Sequence, residues 1–358
     1  MINLEERNKK IIDAVISKAN AVCPGSLALI GVNGSFMTGD YYEKSDLDLL
    51  ILINDDKGWQ LGCSMIQDDL QVGHDIYCTK WEDLQYDANY EHPNISKLMD
   101  SEIVYCADEK YRAQLYALRQ KAKEILEAPF SKEDYEKAER GLNEAQHCYA
   151  MAMLSDDSSK VSEWAGGVVY YVENAIAMLN KQYFHYGVKR VYEELNAMKK
   201  RPEKLCDMID RVVSADSAAS VKEHITMLMK ETTAVFQQVK ETIPAEKKPV
   251  AVDTIGGTYE EMYSNWRNKM YLAAATGNRH LAFMSLISAN VMFTEISSEV
   301  DIDEYDILGC YDPEDLYKTA DAYDTILKEY LNEYKKGGIS ERRYTDIDAF
   351  VVDYQMNR

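Results

Sequence analysis

The chain has 358 residues, 46% of them hydrophobic, and a formal net charge of −21. That hydrophobic share supports two cores and excludes a disordered chain. The acidity argues against a nucleic-acid surface, which needs basic patches to neutralise phosphates; it suits either solubility or attraction of a small cationic molecule into a cleft. Seven scattered cysteines with no C-x-x-C pair point to reduced thiols in a cytoplasmic protein, and against a zinc site or a disulfide framework. The first ten residues lack the apolar stretch of a leader, and no apolar run approaches bilayer-spanning length, so no membrane partner is expected.

Residues 4–21 place Ile11, Ile12, Val15 and Ile16 at helical spacing, and Pro24-Gly25 ends that helix. Residues 27–32 predict a first strand that delivers a turn at Gly34-Ser35. Residues 47–53 predict a second, with Leu49 to Ile53 continuously apolar as in a strand buried on both faces. Residues 72–79 read as a third strand carrying Asp75, residues 81–90 as a surface helix or loop, residues 103–106 as a last strand, and residues 111–126 as a helix linking two halves. After Pro129 helical periodicity takes over. Ser131 and Asp134 open a helix to Leu154 as a capping box. A second helix, residues 161–184, puts Val161, Trp164, Val168, Val172, Ala175 and Leu179 on one face, and Gly166-Gly167 inside it predicts close packing against a neighbour. Helices follow at about 188–198, 202–213 and 220–242. Residues 243–257, with two prolines and two glycines, form the best linker, and more helices run to Tyr334. Tyr259, Met262, Tyr263, Trp266 and Met270 form a stripe better suited to a bundle core than to stacking a base. The expected fold class is α+β: a small mixed-sheet domain over residues 1–127, then a larger all-helical bundle over residues 128–358.

The chemistry concentrates between Gly34 and Asp48. On a strand Asp46 and Asp48 share one face, while Leu47 and Leu49 share the other. Two carboxylates this close repel unless a cation separates them, and Mg²⁺ takes hard oxygen ligands together with substrate phosphates. Gly34 lets a backbone or phosphate approach closely, and Ser35 adds a hydroxyl and an N–H that point at an anion if a helix starts there. Asp75, placed on a neighbouring strand, would complete a three-carboxylate cluster for two ions, clamping both oxygens of an in-line phosphoryl displacement. His74 faces the other way and reads as a structural histidine.

Gly34-Ser35, a nine-residue gap, Ser45-Asp46-Leu47-Asp48, and then Asp75 between apolar residues resemble the signature of the nucleotidyltransferase superfamily that includes DNA polymerase beta. The resemblance covers about the first hundred residues. It implies a metal-bound nucleoside triphosphate, with ATP the expected co-substrate, and transfer of a nucleoside monophosphate to an acceptor hydroxyl. Asp46, Asp48 and Asp75 would be catalytic and metal-binding, and Gly34, Ser35 and Ser45 nucleotide-binding. The two-part layout is similar to kanamycin- and lincosamide-type antibiotic nucleotidyltransferases, and residues 180–190 resemble a loop of their helical domains. That layout implies a small-molecule acceptor, aminoglycoside- or lincosamide-like, leaves room for a homodimer, and suggests a helical-domain glutamate as general base. Glu173 is the candidate, set against an ordinary solvated helix glutamate. Lys189 and Arg190 are candidates for neutralising the triphosphate, set against a surface pair. The competing reading is a regulatory, antitoxin-like module that transfers AMP to a protein partner or only binds nucleotide.

Overall fold

The computed structural model describes residues 3–244 and 246–356. It divides into two compact units, Met1–Ile243 and Pro244–Arg358. In the first, α1 (Leu4–Val22) precedes β1 (Leu27–Val32), a one-turn helix α2 (Ser35–Thr38) and β2 (Leu49–Ile53). A two-stranded antiparallel ribbon follows, β3 (Cys63–Gln67) and β4 (Val72–Ile76), then β5 (Cys78–Lys80). Short helices α3 (Trp81–Ala88) and α4 (Ser96–Asp100) lead to β6 (Glu102–Cys106). The main sheet has the order β5-β2-β1-β6; β1 is antiparallel to β2 and β6, and β2 is parallel to β5. It is therefore the small mixed sheet expected.

The apolar run of β2 explains the layering. Leu49, Ile51 and Ile53 point to one face, where Ile11, Val15 and Ala19 of α1 cover them. Leu50 and Leu52 point to the other, joined by Ala28 and Leu29 of β1. That second face does not end in a core of its own. It continues without a break into α5 (Glu109–Glu127), α6 (Lys132–Leu154), α7 (Ser158–Leu179), α8 (Val191–Ala197), α9 (Leu205–Val213) and α10 (Ala218–Glu241). The boundary expected at residue 127/128 thus falls inside one compact unit, and the units separate at 243/244. The Ser131–Asp134 capping box is present: Ser131 Oγ accepts from the Asp134 N–H at 3.2 Å, and Asp134 Oδ2 accepts from the Ser131 N–H at 2.8 Å. Of the glycine pair in α7, Gly167 makes the close approach, since a Cβ there would sit 2.8 Å from Cys148 Sγ, whereas Gly166 faces open space.

The second unit is helical: α11 (Val252–Ile255), α12 (Thr258–Met262), α13 (Asn268–Thr276), α14 (Arg279–Glu299), α15 (Leu316–Lys336) and α16 (Ile347–Met356), with a π-helical segment Tyr263–Arg267 between α12 and α13. Tyr259, Met262 and Met270 are buried in its core, with Tyr263 and Trp266 packed at the edge, so the aromatic stripe is core. The Tyr334 hydroxyl is fully employed, accepting from the Tyr259 N–H and donating to the Ile255 carbonyl, each at 2.8 Å. One sequence expectation needs correction. By length and composition α14 is apolar enough to cross a membrane, with a mean hydropathy of 1.3 over its best window. Its Leu286, Ala289 and Phe293 pack into this unit's core. All seven cysteines are free thiols.

Candidate functional site

Asp46 and Asp48 lie at the mouth of β2, where the chain enters the sheet. Asn33 N–H donates to the Asp48 carbonyl at 3.0 Å, which extends the β1–β2 pairing by one step and fixes the phase of both acids. Leu47 and Leu49 are buried, so Asp46 and Asp48 share the opposite, half-open face as the alternation predicts. Gly34 makes room for Asp48. Its backbone sits at φ +68, ψ −146, and a Cβ there would lie 1.9 Å from Asp48 Oδ2, so only glycine fits. Ser35 follows directly, but α2 has only four residues, too few for a helix dipole to matter. What Ser35 offers is its own hydroxyl and N–H.

These groups line one cavity of about 390 Å³. Gly34, Ser35, Ser45, Asp46 and Asp48 form one wall, and His185 to Lys189, the loop after α7, forms the other. Burial pushes the Asp48 carboxyl above its ordinary range, and the neighbouring Asp46 charge pushes it further; Lys97 and Lys189 pull it down. On the far side of Asp46 stands Arg7, only 7% exposed. Its Nε and Nη2 donate to Asn8 Oδ1 at 3.0 and 2.8 Å, while Nη1 has no partner among the described residues. Burial lowers the Arg7 pKa and the Asp46 charge raises it, so the two are electrostatic neighbours.

Asp75 is not brought to this pair. It sits on the exposed face of the β3–β4 ribbon and accepts from Ser64 Oγ at 2.8 Å. The inward position is held by His74, 3% exposed, whose Nε2 lies 3.2 Å from Gln67 Oε1 and whose Nδ1 has no partner among the described residues. Burial first, then the Arg7 charge, lowers its pKa; Asp46 opposes them. The reason is phase. Neighbours on a strand face opposite ways, and the ribbon turns His74 inward. No group of three potential metal-binding side chains occurs among the described residues, so the expected three-carboxylate cage for two ions is absent there.

The remaining candidates divide. Ser45 is buried, and its Oγ accepts from the Tyr42 N–H at 3.0 Å, closing the loop that presents Asp46. The Lys189 ammonium lies 5.1 Å from the centre of the Tyr42 ring, within the cavity wall. Arg190 is spoken for: it donates to Glu193 at 2.7 Å and Asp40 at 3.4 Å and lies over the Tyr186 ring at 3.8 Å. Glu173 on α7 is half-buried without a hydrogen-bond partner among the described residues, and burial pushes its carboxyl up to about 7. Its charge acts on Tyr192 and Cys206, and it is not part of the cavity wall.

Sequence reasoning missed His185 and Asp100 as a pair. His185 Nδ1 lies 3.1 Å from Asp100 Oδ2, and the Tyr183 hydroxyl donates to Asp100 Oδ1 at 2.8 Å. Eighty-five positions separate the two residues, so no spacing pattern links them. Lys97 and Arg7 were missed for the same reason.

No family model matches the chain, and no curated protein does. Among solved structures, a nucleotidyltransferase-like protein from Exiguobacterium sibiricum 255-15 is similar with a TM-score of 0.34 and 11% identity, over 78% of this chain and 89% of that one. At that identity and score the likeness assigns no function.

Proposed function

We propose that the chain is a nucleotidyltransferase that moves a nucleoside monophosphate, from ATP, to a hydroxyl of a small acceptor. One observation carries the reading: the Asp48 carboxylate packs into the space that a side chain on Gly34 would fill, and Asp46 and Asp48 line one cavity together with Ser35 and Lys189. The donor set fits one Mg²⁺, because Asp48 is a half-buried acid held in an unfavourable charged neighbourhood by Asp46, and such a pair shares a hard cation with phosphate oxygens. Asp46 and Asp48 would hold the ion, which would supply charge neutralisation at the phosphates. Lys189 supplies a further positive charge at the opposite wall, and Ser35 a hydroxyl donor for an outer phosphate. Arg7 places a buried positive charge close enough to Asp46 for the two to interact electrostatically.

The outward placement of Asp75 favours a second reading, a module that binds nucleotide without transferring it. Melting curves with ATP, with and without Mg²⁺, separate these readings from an empty fold. A stabilisation that needs both components supports the pocket. An acceptor screen read by product mass then separates transfer from binding alone: a nucleotidylated small molecule supports the first reading, and binding with no product supports the second.

A further inference from the structure

We propose that His185 is the proton acceptor of the transfer reaction and that Asp100 is its positioning residue. The assignment rests on the nucleotidyltransferase reading above and deepens it. Because a carboxylate only accepts, the imidazole Nδ1–H donates to Asp100 Oδ2 at 3.1 Å. That fixes the tautomer and leaves Nε2 as the basic nitrogen, with no partner among the described residues. Asp100 is itself held by the Tyr183 hydroxyl at 2.8 Å, and the Tyr183 ring lies 4.0 Å from the imidazole, centre to centre. The backbone is pinned too, since the His185 N–H donates to Glu194 Oε1 at 2.6 Å. These contacts build an oriented base rather than a loose surface histidine.

Its place in the structure supports the role. His185 and Tyr186 line the cavity of Asp46 and Asp48, and they also line a second cavity of about 470 Å³ on the other side of the loop. A general base has to reach the proton of the acceptor hydroxyl, and His185 lines both the cavity that holds the acid pair and the neighbouring cavity that could take an acceptor. Glu173, the base expected from the sequence, lines neither. In the step, the acceptor oxygen forms a bond to the α-phosphorus as the bond to the pyrophosphate oxygen breaks. Pyrophosphate leaves with that electron pair, and the acceptor's proton passes to His185 Nε2.

The groups facing the imidazole are Asp100 from α4, Glu194 from α8, and Tyr183 and Tyr186 from its own loop, with Arg119 behind Tyr183 and Arg190 over Tyr186. The Asp100 hydrogen bond raises the His185 pKa above its ordinary value, burial opposes it, and the Asp100 and Glu194 charges add to the rise. Turnover should therefore climb with pH through a value above the usual histidine range, and Asp100→Asn should move that limb to lower pH.

The test uses the full chain, MgATP, and glycerol and a panel of amino sugars as hydroxyl probes, with pyrophosphate release as the rate. His185→Gln should lose ~10²–10³-fold in turnover and keep the MgATP melting shift. In ¹⁵N spectra taken at a pH above the rising limb of turnover, the His185 Nε2 should be the unprotonated nitrogen and should move when a non-hydrolysable MgATP analogue binds. Equal turnover in His185→Gln, a proton found on Nε2 at that pH, or a resonance blind to the analogue overturns the assignment and leaves the parent reading standing. A wild type that shows no MgATP shift, or binds MgATP and releases no pyrophosphate with any probe, overturns both.

Discussion

Asp48 and Asp75 are the same side chain set beside similar apolar stretches, and they reach opposite fates. Asp48 lies half-buried against Gly34, inside a cavity and beside a second acid. Asp75 lies on the open face of a two-stranded ribbon, bonded to Ser64. The difference comes from what covers each strand. β2 is covered on both faces, which locks its phase; with Leu47 and Leu49 buried, Asp46 and Asp48 share the opposite, half-open face. The ribbon is covered on one face only, and that face took Val72 and His74. A carboxylate is placed for chemistry by the apolar residues beside it, which decide which way it points.

Four substitutions break or sharpen this contrast. Asp48→Asn should abolish the Mg²⁺-dependent ATP shift and cut turnover by ~10²-fold or more. The same change should raise the melting temperature of the nucleotide-free protein. The folded-state pKa of Asp48 is raised, so stability is present below its ordinary value and lost as pH rises through the raised one; an asparagine removes that loss, and the gain should grow with pH. Gly34→Ala should cost about 1–3 kcal/mol in denaturant unfolding, because alanine is strained at φ +68, ψ −146 and drives into Asp48, and it should displace bound nucleotide. Glu173→Gln should be about 1–2 kcal/mol more stable than wild type at pH 8 and nearly equal at pH 4.5. Its carboxyl titrates at about 7 when folded, so the wild type loses stability between pH 4.5 and 7. Asp75→Asn should change turnover less than twofold and stability by under about 0.5 kcal/mol, as expected of an exposed polar group. A large loss in Asp75→Asn would mean that the ribbon closes onto the cavity during the reaction.

Much of this site was legible in the sequence. Leu47 and Leu49 to Ile53 announce the strand, its alternation puts Asp46 and Asp48 on one face, and the Gly34 turn precedes them at short range. The bundle face of α7 was legible from apolar spacing. What was not legible depends on contacts between distant segments. The ribbon strand β3 carries an almost fully exposed row, so it lacks the alternation that announces a strand, and without it nothing shows whether His74 or Asp75 turns inward. The His185–Asp100 pair arises only after α7 returns its C-terminal loop to the short helix α4. Arg190 looked available as a basic residue after a glycine, but Asp40 and Glu193 occupy it.

The uninterrupted core beneath Leu29, Leu50 and Leu52 has an evolutionary corollary. Neither the strands nor α5 to α10 can be exchanged like cassettes, because each side supplies the lining the other folds against. Sequence change is therefore best tolerated at the rim, in loops such as 40–45 and 185–190, where the Arg190–Asp40 ion pair fastens one to the other.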